Sequence, residues 1–212
     1  MHPASPKHHR LDPDHPAPAV LREAIEHLRR GELILLPTET VYGVVADPRI
    51  PDAENRLCRA KGRPEEKKIA LLAADAAQVT AFGAEMSPVA VALAKRFWPG
   101  PLTLVLKTGA TFTGFRIPDH PVALALLREA GTVLAATSAN RSGTPDAVTA
   151  EAALAALAGH VAVALDAGPS PGGVPSTVVK VVGMRVELLR AGALPRKELE
   201  DVVVAAGGYL TG

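Results

Sequence analysis

The sequence predicts a single α/β domain, with flanking helices packed on a mixed β-sheet, and three observations carry that prediction. Short apolar strand candidates alternate with amphipathic helical stretches from residue 19 to residue 206. The turn Val182-Gly183-Met184-Arg185 reads as a hairpin, so part of the sheet is antiparallel. No linker-like stretch divides the 212 residues, and 48% hydrophobic with 21% charged residues suffice for one sizeable core.

Residues 1–18 carry scattered prolines and His2, His8, His9 and His15, and are expected to form a flexible extension with no fixed metal-ligand geometry. Residues 17–30 place Val20, Leu21, Ala24, Ile25 and Leu28 on one helical face, with Gly31 as a terminator. A strand is expected at 33–36, stopped by Pro37, and another at 44–46 after the loop 38–43. A helix over 51–60 runs into the basic turn Lys61-Gly62-Arg63-Pro64. A strand follows at 69–73, then a helix over 75–82 with Asp75 as its cap. Ser87-Pro88 starts a helix that runs to Phe97. The rigid turn 98–101 leads into a strand at 102–107. The alternation continues with strands at 115–117, 133–137, 161–166, 176–182 and 185–190, and helices at 121–130, 149–158 and 196–206. Residues 207–212 read as a tail, and His27 and His160 as helix-surface residues.

Composition narrows the function classes. Lys and Arg number 23 against 22 acidic residues, a net charge of +1, and the rings are limited to four Phe, two Tyr and one Trp. Both facts weigh against a strongly nucleic-acid-binding chain, which relies on basic fields and stacking platforms. The one cysteine, Cys58, permits no intrachain disulfide and reads as a small buried side chain in a reducing, cytoplasmic setting. No apolar run reaches the roughly 20 residues of a membrane span, and the N-terminus lacks the apolar stretch of a secretory signal. Phosphate-loop, dinucleotide, paired-histidine zinc and serine-elbow signatures are absent.

Polar residues gather instead in loops that follow apolar strands, where α/β sheets place their ligands. The first is Thr38–Gly43. The second is Lys61-Gly62-Arg63-Pro64, where a point charge and a two-pronged donor flank one glycine and can converge on a polyphosphate. The third, 137–143, reads Thr-Ser-Ala-Asn-Arg-Ser-Gly and can offer hydroxyls and backbone N–H groups to phosphate oxygens. The fourth is the glycine loop 172–177. Each also has an ordinary reading as a solvated turn.

Taken together and in order, these strings resemble the YrdC family, the L-threonylcarbamoyladenylate synthases, in its short bacterial form. The matches are PTETVYG at 37–43, KGRP at 61–64, FWPGPLTLVL at 97–106, FRIPDHP at 115–121, AATSANRSG at 135–143, STVV at 176–179 and LRAGAL at 189–194. The resemblance implies a twisted mixed sheet around a positively charged cavity. It also implies the reaction of L-threonine, bicarbonate and ATP to threonylcarbamoyl-AMP, pyrophosphate and water. A separate complex then transfers the threonylcarbamoyl group to tRNA. By motif position, Lys61, Arg63, Ser138, Asn140 and Arg190 are implied for ATP, and Thr40, Arg116 and Ser176 for threonine, with Arg116 pairing its carboxylate.

That chemistry needs a chamber that excludes water, because carbamates decompose in it, and positive charge rather than a covalent nucleophile for displacement at phosphorus. No nucleophile or general base is therefore assigned. Mg²⁺ is expected with ATP, without a protein ligand being assigned, and His120 is read as a turn residue. The chain departs from the family pattern at Lys67 and Leu72, where an expected histidine is missing, and at Asp146, where a serine is expected. Two alternatives stand beside the enzyme: a YrdC-fold protein that binds double-stranded RNA or tRNA, and an inactive paralogue.

Overall fold

The structure, a computed structural model, describes residues 5–62 and 68–212. Its first half runs β1 (Lys7–Arg10), α1 (Pro18–Arg29), β2 (Leu33–Leu36), β3 (Gly43–Ala46), α2 (Ala53–Lys61), β4 (Ala70–Leu72), α3 (Ala76–Ala81) and α4 (Pro88–Phe97). Then come β5 (Leu102–Thr108), β6 (Thr111–Arg116), α5 (Pro121–Ala130), β7 (Leu134–Ser138), α6 (Ala150–Ala156), β8 (Val161–Asp166), β9 (Thr177–Val182), β10 (Arg185–Arg190), α7 (Arg196–Ala205) and β11 (Tyr209–Thr211). The strands form one mixed sheet in the order β1-β8-β2-β3-β7-β4-β6-β5-β9-β10-β11.

The helices begin where local chemistry dictates. Ser87 accepts a hydrogen bond from the Ala90 N–H at 3.3 Å, and Asp75 accepts one from Gln78 N–H at 2.8 Å, each satisfying a donor with no partner inside its helix. Pro18, Pro88 and Pro121 each open a helix, where a missing N–H costs nothing.

Alternation along the strands splits the apolar residues between two faces. On the first face, Leu35, Val44, Leu71, Leu104, Phe115, Val179 and Val186 pack beneath α2, α3, α4, α6 and α7, and this core spans most of the sheet. On the second, Ile34, Leu36, Val45, Leu72, Leu134, Val163 and Leu165 pack beneath α1 and α5. That second core covers only the β8-β2-β3-β7-β4 part of the sheet, so among the described residues no helix lies over the other half of this face. Cys58 is buried in the first core.

Two expected tails are strands. Residues 7–10, placed in a flexible extension, pair in parallel with β8 from Lys7↔Val163 to Arg10↔Asp166, and His8 Nε2 lies 2.9 Å from an Asp166 carboxylate oxygen. Residues 209–211 pair in parallel with β10. An edge strand is held through its backbone, so its side chains need show no apolar alternation. The strand expected at 115–117 begins instead at Thr111, because a tight turn through Gly109, with φ of 59°, folds β6 back on β5. His27 is half-buried rather than on the surface, its Nδ1 2.7 Å from a Glu32 oxygen. No helix among the described residues is long and apolar enough to cross a membrane.

Replacing Ser87 by Ala should cost about 1 kcal/mol of stability through loss of the α4 cap. Urea unfolding monitored by far-ultraviolet circular dichroism checks this, with an unchanged m value expected.

Candidate active site

The bare half of the second face is where the cavity lies, about 270 Å³ in volume. Its floor follows from strand alternation. Ala70, Thr103, Arg116 and Val178 point into it, whereas their neighbours Leu71, Leu102, Phe115 and Val179 point into the first core. Gly114 keeps this floor low: a Cβ there would sit 3.4 Å from Ala70 Cβ and 3.4 Å from Thr103 Cγ2.

One wall is the loop between β2 and β3. Thr38 Oγ1 accepts from the N–H groups of Thr40 and Val41, both at 3.3 Å, donates to the Val41 carbonyl at 2.6 Å, and lies 3.0 Å from Thr40 Oγ1. Tyr42 is wholly buried, and its hydroxyl donates to the Gly168 carbonyl at 2.7 Å. Burial, and after it the charge of Asp166, push the Tyr42 pKa upward, so the phenol stays neutral. The loop 170–175 lies along this wall: Gly172 N–H donates to the Glu39 carbonyl at 2.9 Å and Gly173 N–H to that of Thr40 at 2.8 Å.

A second wall comes from the end of α2 and the loop after β7. Gly62, in the left-handed region at φ of 62°, ends α2 with Lys61 buried. The Lys61 ammonium donates to the Ser138 carbonyl at 2.5 Å, to the Asn140 Oδ1 at 2.8 Å and to Ser138 Oγ at 3.2 Å. Asn140 is fixed in turn by its amide, which donates to the Thr144 carbonyl at 2.6 Å.

The third wall holds two arginines. Arg116, the last residue of β6, donates from Nη2 to Glu39 Oε1 at 2.6 Å and from Nε to the Gly100 carbonyl at 3.2 Å. Ser176 Oγ lies 2.8 Å from Thr103 Oγ1, and Arg190 Nη2 donates to the Ser176 carbonyl at 2.7 Å and to its hydroxyl at 3.2 Å. Burial draws the Arg190 pKa down and the Asp146 carboxylate opposes that shift. Gly192 lets the chain after β10 press on Ser176, since a Cβ there would lie 2.4 Å from the Pro175 carbonyl oxygen.

Thr40, Arg116, Ser138, Ser176 and Arg190 therefore line one cavity, and Lys61 with Asn140 lies directly behind Ser138. Arg63 and Lys67 fall outside the described residues. The two other departures, Leu72 and Asp146, both line the cavity, and Asp146 is the one acidic side chain among its described lining residues. His120 stands at the residue before α5, as a turn residue should, but its Nδ1 is buried without a partner, and burial lowers its pKa. Sequence reasoning missed Glu39, Thr103 and Lys68. Glu39 sits inside the same motif as Thr40, which was the available signal. Thr103 was hidden in an apolar strand, where a lone hydroxyl on the face opposite the core was the clue.

Fold and cavity together define a mixed-sheet α/β domain with a cavity, lined by polar, charged and apolar side chains, on an uncovered sheet face. Residues 26–192 match the Sua5/YciO/YrdC family model, described as telomere recombination. The chain belongs to that family. It is 38% identical over 194 residues to the threonylcarbamoyl-AMP synthase of Bacillus subtilis (strain 168), covering 86% of this chain and 56% of that protein. The chain thus spans about half the length of that relative. It is also 34% identical over 184 residues to the threonylcarbamoyl-AMP synthase of Vibrio cholerae, covering 81% of this chain and 97% of that protein. The crystal structure of Pyrococcus abyssi Sua5 complexed with L-threonine superposes with a TM-score of 0.86 at 33% identity, over 97% of this chain and 62% of that one.

Replacing Gly192 by Ala should displace Ser176 and Arg190 together, weakening ligand binding in the cavity by about tenfold or more. Titration calorimetry of the folded variant, with its melting temperature measured in parallel, checks this.

Proposed function

We propose that this chain is an L-threonylcarbamoyladenylate synthase, converting L-threonine, bicarbonate and ATP to threonylcarbamoyl-AMP, pyrophosphate and water. The observation that carries this reading is the convergence on one cavity of a buried guanidinium, Arg116, and the Lys61–Ser138–Asn140 cluster. The names of the relatives in Bacillus subtilis and Vibrio cholerae, and the L-threonine bound by the Pyrococcus abyssi protein, support the same reading.

In this account Arg116 pairs the threonine carboxylate through parallel hydrogen bonds, and the hydroxyls of Thr40 and Ser176 hold the rest of the amino acid. Carboxylation of the amine by bicarbonate gives a carbamate and releases water, and the enclosing walls limit its exposure to solvent. A carbamate oxygen attacks the α-phosphorus of ATP, the bond to the β-phosphate oxygen breaks, and pyrophosphate leaves. Lys61, Arg63 and Arg190 stabilise the charge that moves onto the leaving group, while Ser138 and Asn140 hold the nucleotide. Lys61 reaches a phosphate by exchanging contacts it now makes to Ser138. Asp146 on the cavity wall offers a hard carboxylate that would hold a Mg²⁺ bound with ATP, and the ion would there offset triphosphate charge. The product then passes to a separate complex that modifies tRNA, and the setting is cytoplasmic.

Pyrophosphate release should require ATP, Mg²⁺, bicarbonate and L-threonine together, and a coupled assay that omits each in turn reads this directly. Release that ignores threonine or bicarbonate contradicts the assignment. Lys61→Met should lower turnover at least about a hundredfold while the chain stays folded by circular dichroism.

A further inference from the structure

The buried arginine of the proposed threonine site is itself held by a carboxylate. Arg116 has 9% of its side chain exposed and Glu39 has 16%. A guanidinium carries five N–H donors in a rigid fork. Arg116 commits Nε–H to the Gly100 carbonyl at 3.2 Å and one Nη2 hydrogen to Glu39 Oε1 at 2.6 Å. Nε and Nη2 are the two nitrogens of the side-on edge of the fork. One Nη1 hydrogen and one Nη2 hydrogen form the end-on edge, and Nη1 makes no hydrogen bond among the described residues.

Glu39 is immobilised in turn, because its carbonyl accepts from Gly172 N–H at 2.9 Å, and a Cβ at Gly172 would stand 2.7 Å from that oxygen. Its second carboxylate oxygen, Oε2, is buried without a hydrogen-bond partner, as is His120 Nδ1 on the first residue before α5. Arg116 is therefore the one hydrogen-bond donor that meets the Glu39 carboxylate among the described residues.

We propose that Glu39 is a positioning residue for Arg116 and sorts the two anionic substrates by charge. It occupies the side-on edge, so that an amino-acid carboxylate meets only the end-on edge, in a fixed orientation. Its negative charge nearly cancels that of Arg116 before substrate arrives. A single carboxylate still gains two hydrogen bonds there, whereas a triphosphate, carrying several charges, meets Glu39 as a like charge and is turned away toward Lys61. This rests on the synthase reading above and names how its amino-acid subsite is kept free of nucleotide.

The test is steady-state pyrophosphate release together with L-threonine titration calorimetry, on the wild type, Glu39→Ala and Glu39→Gln. In Glu39→Ala the KM and Kd for threonine should rise about tenfold or more, with kcat falling less than about threefold and the KM for ATP unchanged. Glu39→Gln keeps an acceptor for Nη2 and should restore threonine affinity to within about threefold. In the same variant, added pyrophosphate should become a competitive inhibitor against threonine, which it is not for the wild type. A merely structural role would lower the melting temperature and kcat in both variants and leave the inhibition pattern unmoved. Unchanged threonine affinity in Glu39→Ala, or no new competition in Glu39→Gln, overturns the proposal. A wild type that neither binds threonine nor releases pyrophosphate with it overturns the synthase reading, and the proposal with it.

Discussion

The feature on which everything else depends is a mismatch of widths: among the described residues, eleven strands make the sheet but only α1 and α5 cover its second face. The first face carries a broad apolar core, where each fully buried Leu or Phe contributes roughly 1.5–3 kcal/mol. On the second face that core stops near β4. Strands beyond it must therefore present side chains that tolerate water or a ligand. Ala70, Thr103, Gly114, Arg116 and Val178 meet that demand with small size, polarity or charge. The cavity is thus a consequence of how the helices are distributed.

Holding that cavity open is a matter of hydrogen bonding between loops far apart in sequence. Ala139 N–H donates to the Tyr42 carbonyl at 2.8 Å and Tyr42 N–H to the Ala147 carbonyl at 2.9 Å, so the walls after β2 and after β7 share one backbone ladder. Lys61 adds a charged tie between α2 and Ser138. Such a buried charge is expensive unless it is solvated by fixed dipoles, and the Ser138 and Asn140 oxygens supply them. These dipoles are oriented before any ligand arrives, so binding need not order the walls.

The sequence showed much of this and missed particular parts for physical reasons. Helices α1, α4 and α5 were legible because Pro, Ser or Gly marks their ends and apolar residues recur at helical spacing. Strands β2 and β8 were legible as apolar runs. The edge strands β1 and β11 were not, since backbone pairing needs no side-chain pattern. Thr40, Arg116, Ser138, Ser176 and Arg190 could be named from their motifs, yet nothing in the sequence places Glu39 against Arg116 or Thr103 against Ser176. The first pairing depends on the β3-β7-β4-β6 order and the second on β5 lying beside β9, which are properties of the whole sheet.

The most direct measurement is a crystal structure of the chain with L-threonine and an ATP analogue that cannot release pyrophosphate. The expected result is the amino-acid carboxylate on the Nη1–Nη2 edge of Arg116, the triphosphate against Lys61, and both within the cavity on the uncovered face. Threonine bound away from Arg116, or phosphates seated on Arg116 with Glu39 displaced, would contradict it.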